Sequence, residues 1–144
     1  NLKINKIIKE EKLYSLENKK TFVKFFEKIV QLKKKLNNLI IKIKKNNKII
    51  HGYGASTKGN VLLQFFKIGK KQITLIADRN PDKDNLFTPG TKIKIISEKK
   101  SRSQIPDYYL VLPWHFKNEI LMREKFIRKK GVKFIFPLPS LKII

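Results

Sequence analysis

An α/β domain with a parallel sheet of about five strands, preceded by a long N-terminal helix, is the fold this sequence predicts, and three observations point to it. Short runs rich in Ile, Val, Tyr and Phe alternate along residues 47–144 with segments whose apolar residues step by three and four. Glycines, asparagines and prolines stand at the joins between them. Before residue 47, the apolar residues from Phe22 to Ile43 fall on one helical stripe. Two parts follow: a helical arm with a long amphipathic helix over 1–46, and an α/β domain over 47–144.

The elements can be justified in order. Asn1 to Tyr14 carry Leu2, Ile4, Ile7, Ile8 and Leu13 at mixed spacing, which supports a short helix or an arm lying on something else. Ser15 is the expected N-cap of a helix over Leu16–Asn46, whose stripe is Phe22, Phe25, Phe26, Ile29, Leu32, Leu36, Leu39, Ile40 and Ile43. Phe22, Ile29, Leu36 and Ile43 are spaced by sevens, so a helix–helix seam stands beside the plainer reading of one helix packed on its own domain. Asn46 and Asn47 end it. Lys48–Gly52 reads as a strand and Thr57–Ile68 as a helix stopped by Gly69. Gln72–Ala77 reads as a strand, Asp78–Gly90 as a polar loop with a turn at Thr88–Thr91, and Lys92–Ile96 and Tyr108–Leu112 as strands. A helix over His115–Lys130 is closed by Gly131, and Val132–Phe136 is the last strand, bounded by Pro137 and Pro139. Strands separated by helices pair in parallel through right-handed crossovers.

Charge is the loudest feature of the composition, and it is a poor guide to function. The chain carries 34 Lys and Arg against 11 Asp and Glu, a formal +23. Thirty of the basic residues are Lys and four are Arg, while Ile occurs 21 times, Asn 11 times and Ala only at positions 55 and 77. This is the composition of an AT-rich genome, so lysine is partly background. Scarce arginine argues against base-edge readout of nucleic acid. The absence of cysteine removes disulfides, thiolate metal sites and a cysteine nucleophile, and fits a reducing compartment. The longest apolar run, Tyr108–Trp114, is far below the roughly 20 residues that span a bilayer, and no signal peptide is seen. A cytoplasmic protein without membrane partners is expected. The opening at Asn1, without an initiator Met, is read as a cut from a longer parent.

Candidate functional residues gather at strand exits, where open α/β sheets bind ligands. The first strand leaves through His51-Gly52-Tyr53-Gly54-Ala55-Ser56-Thr57-Lys58-Gly59 into a helix. Gly52 and Gly54 permit close backbone approach, the helix N-terminus favours an anion, and Lys58 would add a mobile charge. The glycine spacing satisfies neither the dinucleotide fingerprint nor a P-loop, so an anion site and a plain tight turn both stand. Asp78, followed by Arg79, Asn80 and Lys83, sits where a carboxylate would meet ribose hydroxyls, although an Asx turn before Pro81 explains it as well. Trp114, His115 and Glu119 stand at another strand exit, His115 and Glu119 one helical turn apart. They can orient a sugar or do acid–base work, or they can simply pack and cap. His51 is expected to be buried in its strand.

Taken together, GYGASTKGNVLLQ (Gly52–Gln64), ADRNPDK (Ala77–Lys83), TPGT (Thr88–Thr91), PDYYLVLPW (Pro106–Trp114), the Glu119-Ile120 pair and GVKFIFPLP (Gly131–Pro139) resemble the C-terminal domain of the nucleotide-sugar C-methyltransferases. The resemblance implies a Rossmann-like three-layer domain. It also implies a three-part parent: a small zinc-binding domain, a central S-adenosylmethionine-binding domain, and this third domain, which helps to hold a keto NDP-sugar. Zinc and S-adenosylmethionine would belong to the other domains, with no cofactor and no catalytic residue in this segment. Its partners would be the nucleotide sugar and the catalytic domain of the same parent. Carried over by position, Gly52, Tyr53, Gly54, Ala55, Ser56, Lys58 and Gly59 would meet the substrate or the domain seam, with Asp78, Arg79, Asn80 and Lys83 in the neighbouring loop. Departures from the family pattern are Asn85 for Gly, Leu86 for a basic residue, Lys94 for Pro and His115 for Asn. Asn tolerates the left-handed conformation, so Asn85 is a mild change. Against this reading stands a non-catalytic basic α/β module that binds nucleic acid or a protein partner through its lysine-rich helices.

Overall fold

The computed structural model describes residues 2–144 and divides into two compact units, one up to Lys34 and one from Lys35 to Ile144. Asn1, the start of the expected arm, lies outside the described residues. In the first unit, α1 (Leu2–Leu13) has no buried residue. The chain turns at Ser15, which takes a positive φ of 52° and is not the cap expected there. Asn18 does that work: its Oδ1 accepts from the Lys20 amide at 2.9 Å. Helix α2 (Lys19–Lys45) then runs without a break. Phe22, Phe25 and Phe26 of its stripe are exposed, and only Leu36, Ile40 and Ile43 are buried, all in the second unit. There the side-chain amide of Asn37 donates to the Phe66 carbonyl at 3.0 Å, tying the helix to the one that ends at Phe66.

The second unit is an α/β sheet whose strands are β1 (Ile50–Tyr53), β2 (Leu75–Asp78), β3 (Lys94–Ser97), β4 (Tyr108–Val111), β5 (Lys133–Phe136) and β6 (Lys142–Ile143). They lie in the order β3-β2-β1-β4-β5-β6, parallel except for the antiparallel β5–β6 pair. The sheet therefore has six strands where about five are expected. The sixth is two residues long and follows a proline turn, too short to carry a periodic pattern. The crossover helices are α3 (Thr57–Phe66), α4 (Glu98–Ser103), α5 (Lys117–Arg123) and α6 (Lys125–Lys129). One face of the sheet buries Tyr53, Tyr109, Val111, Phe134 and Phe136 against Ile120 and Ile127.

Several boundaries differ from the sequence reading. Helix α3 ends at Phe66, capped by Lys67 in the left-handed region, with the Ile68 amide returning to Leu63 O at 2.8 Å; Gly69 does not stop it. Strands β2 and β3 sit slightly further along, and α4, capped by the Ser97 side chain, occupies a stretch that received no assignment. The helix expected over His115–Lys130 opens as a 3₁₀ turn at Trp114–Phe116 and is interrupted at Glu124, whose side chain is committed to a buried network. Gly131 (φ 89°) closes it as expected, and Asn85 takes a φ of 66°, the conformation glycine would supply.

His51 is buried as expected, 2% exposed, with Nδ1 2.9 Å from the Ser101 hydroxyl, which in turn is 2.8 Å from Tyr109 Oη. Burial lowers its pKa from 6.5 to about 4, so the ring is neutral at pH 7. The unfolded chain therefore takes up the proton first on acidification. Stability is complete above pH 6.5 and falls through the window down to pH 4, by roughly 3 kcal/mol in total. Urea unfolding across that window should show this slope in the parent chain and a flatter one in His51→Gln; equal slopes would remove His51 as the cause.

Candidate functional site

The sheet order reverses between β1 and β4: the chain runs from β1 outward to β3 and returns to the other side of β1. Loops leaving neighbouring strands in opposite directions open a crevice at their carboxyl ends. A cleft of about 670 Å³ lies there, lined by Tyr53, Gly54 and Ser56 after β1, Asp78, Arg79, Asn80, Pro81 and Lys83 after β2, Glu98 at the start of α4, and Pro113, Phe116, Glu119, Ile120 and Arg123 after β4. Eight residues singled out in the sequence thus meet in one place: Tyr53, Gly54, Ser56, Asp78, Arg79, Asn80, Lys83 and Glu119. Gly52, Ala55, Lys58 and Gly59 do not line it. Trp114 and His115 line an adjoining recess of about 650 Å³ with Phe136, Pro139 and Lys142; Phe116 and Glu119 border both spaces.

The glycines have packing reasons. A Cβ on Gly52 would stand 2.7 Å from Ile76 Cγ1, one on Gly59 would stand 2.6 Å from Leu112 Cβ, and one on Gly54, at φ +79°, would stand 2.7 Å from the Pro113 ring. In each case the missing side chain makes room for a neighbouring part of the protein. Asp78 is similarly committed. Its Oδ2 accepts from the Ala55 amide at 2.6 Å and from Lys83 Nζ at 3.3 Å, and its Oδ1 accepts from the Asn80 amide at 2.8 Å. Lys83 Nζ also donates to Ala55 O at 3.0 Å. The carboxylate staples the first turn to the second loop, and the Asx turn weighed in the sequence is present. Ser56 caps α3, its hydroxyl accepting from the Gly59 amide at 3.0 Å. These contacts take up the Ala55 and Gly59 amides, and protein atoms fill the space over the three glycines.

Beneath the cleft lies a network that the sequence did not reveal. Arg123 donates through Nη2 to Tyr53 Oη at 2.6 Å and to Glu98 Oε1 at 3.0 Å. The Tyr53 hydroxyl donates to Glu124 Oε1 at 2.7 Å. Arg102 reaches Glu124 Oε2 through Nε at 2.9 Å and Glu98 Oε2 through Nη2 at 2.7 Å, and Nη2 also contacts Glu124 Oε1. Glu124 is 2% exposed; burial would raise its carboxyl pKa, but Arg102 and Tyr53 hold it below the usual range. Burial pushes the Tyr53 phenol far upward, so it remains a donor. The contacts from α4 to the end of α5 join residues 22 to 25 positions apart. The signals available were the i, i+4 spacing of Glu98 and Arg102 and the rarity of arginine.

The fold is an α/β domain of the doubly wound kind, with a cleft at the strand-order switch. The family model for the C-methyltransferase C-terminal domain matches residues 1–139, and the chain belongs to that family. Among curated proteins it is similar to the C-methyltransferase NovU of Streptomyces niveus, 29% identical over 141 residues. Those residues are 98% of this chain and 34% of the relative's length, so the chain spans about a third of that enzyme. Among the described residues, no helix is long and apolar enough to cross a membrane.

Proposed function

We propose that this domain holds the nucleotide-sugar substrate of a C-methyltransferase, a keto NDP-sugar, in the cleft at the β1–β4 switch. S-adenosylmethionine, the methyl donor, would bind elsewhere in the parent, and this chain's residues bind and orient. The observation that carries the reading is the charge balance of the cleft. In a chain of net +23, its lining combines Asp78, Glu98 and Glu119 with Arg79, Lys83 and Arg123, three charges of each sign. Alternating donors and acceptors, with the Phe116 ring alongside, suit a ligand that combines sugar hydroxyls with a few localised negative charges. A groove for nucleic acid would instead be uniformly basic.

Calorimetric titration of the chain with UDP-glucose, dTDP-glucose and a short DNA duplex, at low and moderate salt, tests this. The expected result is nucleotide-sugar binding with a shallow salt dependence. Binding of DNA alone, lost steeply with salt, would replace this reading with that of a basic module.

A further inference from the structure

Four arginines stand against thirty lysines; two of the four line one cleft and a third supports it from below. Arg79 and Arg123 line it, and Arg102 anchors Glu98 and Glu124 below it. A guanidinium offers a planar fork of donors that an ammonium cannot imitate, and phosphate oxygens are the ligand that this fork matches best. Among the three cations of the cleft, commitments differ. Lys83 is spent on Asp78 and the Ala55 carbonyl. Arg79 is exposed and has no ion-pair partner among the described residues. Arg123 is held from within through Nη2, whereas Nη1 meets only Glu119, at 3.6 Å, and that carboxylate is 62% exposed. An ion pair so long and so wet contributes little and is readily exchanged.

We propose that Arg79 and Arg123 form a two-pronged clamp for the phosphate oxygens of the nucleotide sugar, and that Glu119 is the internal competitor which the ligand displaces from Arg123. The inference rests on the nucleotide-sugar reading. It gives Arg123 a reason to be braced through Nη2 by Glu98 and the Tyr53 hydroxyl: Nη1 is held in place before the ligand arrives, so less ordering cost falls on binding. It also reverses the role that the sequence suggested for Glu119, from ligand contact to placeholder.

The test is calorimetric titration of the 144-residue chain with UDP-glucose, dTDP-glucose and inorganic pyrophosphate, comparing the parent with Arg79→Lys, Arg79→Gln and Glu119→Gln. Arg79 and Glu119 are surface residues, and a thermal melt confirms that each variant is folded. Arg79→Lys should weaken both nucleotide sugar and pyrophosphate about ten-fold although the charge is kept, as expected for loss of a charge-assisted fork. Glu119→Gln should tighten both by roughly two- to five-fold, because a surface-strength competitor is gone. Weaker UDP-glucose binding in Glu119→Gln, with pyrophosphate unchanged, would place Glu119 on the sugar and overturn the exchange. Nucleotide-sugar affinity indifferent to all three changes would overturn the clamp while leaving the substrate reading in place. Pyrophosphate bound with the expected responses, and no nucleotide sugar bound, would keep the anion clamp and overturn the substrate reading; binding of neither overturns both.

Discussion

Glu124→Ala is expected to destabilise the fold by about 3–5 kcal/mol, the cost of removing one partner from a buried ion network. Glu124 is 2% exposed and is the acceptor on which three donors converge: the Tyr53 hydroxyl and two nitrogens of Arg102. Alanine leaves the buried Tyr53 phenol without its acceptor and strips the half-buried Arg102 of its inner carboxylate, so the penalty is chiefly the unpaired polar groups left at the buried end of the network. Thermal unfolding should register a fall of roughly 10–20 °C for a domain of this size. Because Arg123 leans on Tyr53 and Glu98, which share this network, the cleft should lose its order as well. A loss below about 1 kcal/mol, the scale of a surface pair, would show that the network is far looser than its geometry indicates.

The second large effect belongs to Gly54→Ala. Alanine at φ +79° costs about 1–2 kcal/mol in backbone energy. Its Cβ would also lie 2.7 Å from both Cδ and Cγ of Pro113, a ring with little freedom to retreat, and forced overpacking adds about 1–3 kcal/mol. Gly131→Ala is the natural control, because Gly131 has φ +89° with nothing within 4 Å of the added Cβ. It should pay the backbone cost alone. Urea unfolding should place Gly54→Ala well below Gly131→Ala; equal losses would mean that the β1 and β4 exits are not pressed together as described.

This contrast shows what was legible in the sequence. The run from His51 to Gly59 correctly marked the exit of the first strand, and Asp78 to Lys83 correctly marked its neighbour, because glycine and Asx turns act locally. Their meaning was less accessible. Glycine spacing cannot distinguish a backbone left open for phosphate from one filled by Ile76, Pro113 or Leu112, since those neighbours come from other strands. Lys58 drew notice through its place beside the glycines, yet the helix carries it away from the cleft lining. Glu98, Arg102, Arg123 and Glu124 drew none: the i, i+4 pair of Glu98 and Arg102 is lost among abundant charges, and the contacts that join it to Arg123 and Glu124 are made by tertiary folding. The apolar stripe of the long helix was read correctly as helical, but only its Leu36–Ile43 portion is buried. Periodicity reports the helix and not what covers it.

The central claim is that a nucleotide sugar occupies the cleft at the β1–β4 switch, and amide chemical-shift mapping of the ¹⁵N-labelled chain during titration with UDP-glucose and dTDP-glucose tests it most directly. The expected result is a set of saturable shifts confined to Tyr53–Ser56, Asp78–Lys83 and Phe116–Arg123, with the lysine-rich faces of α1 and α2 unmoved. Shifts centred on those helices, or scattered without saturation, would contradict it.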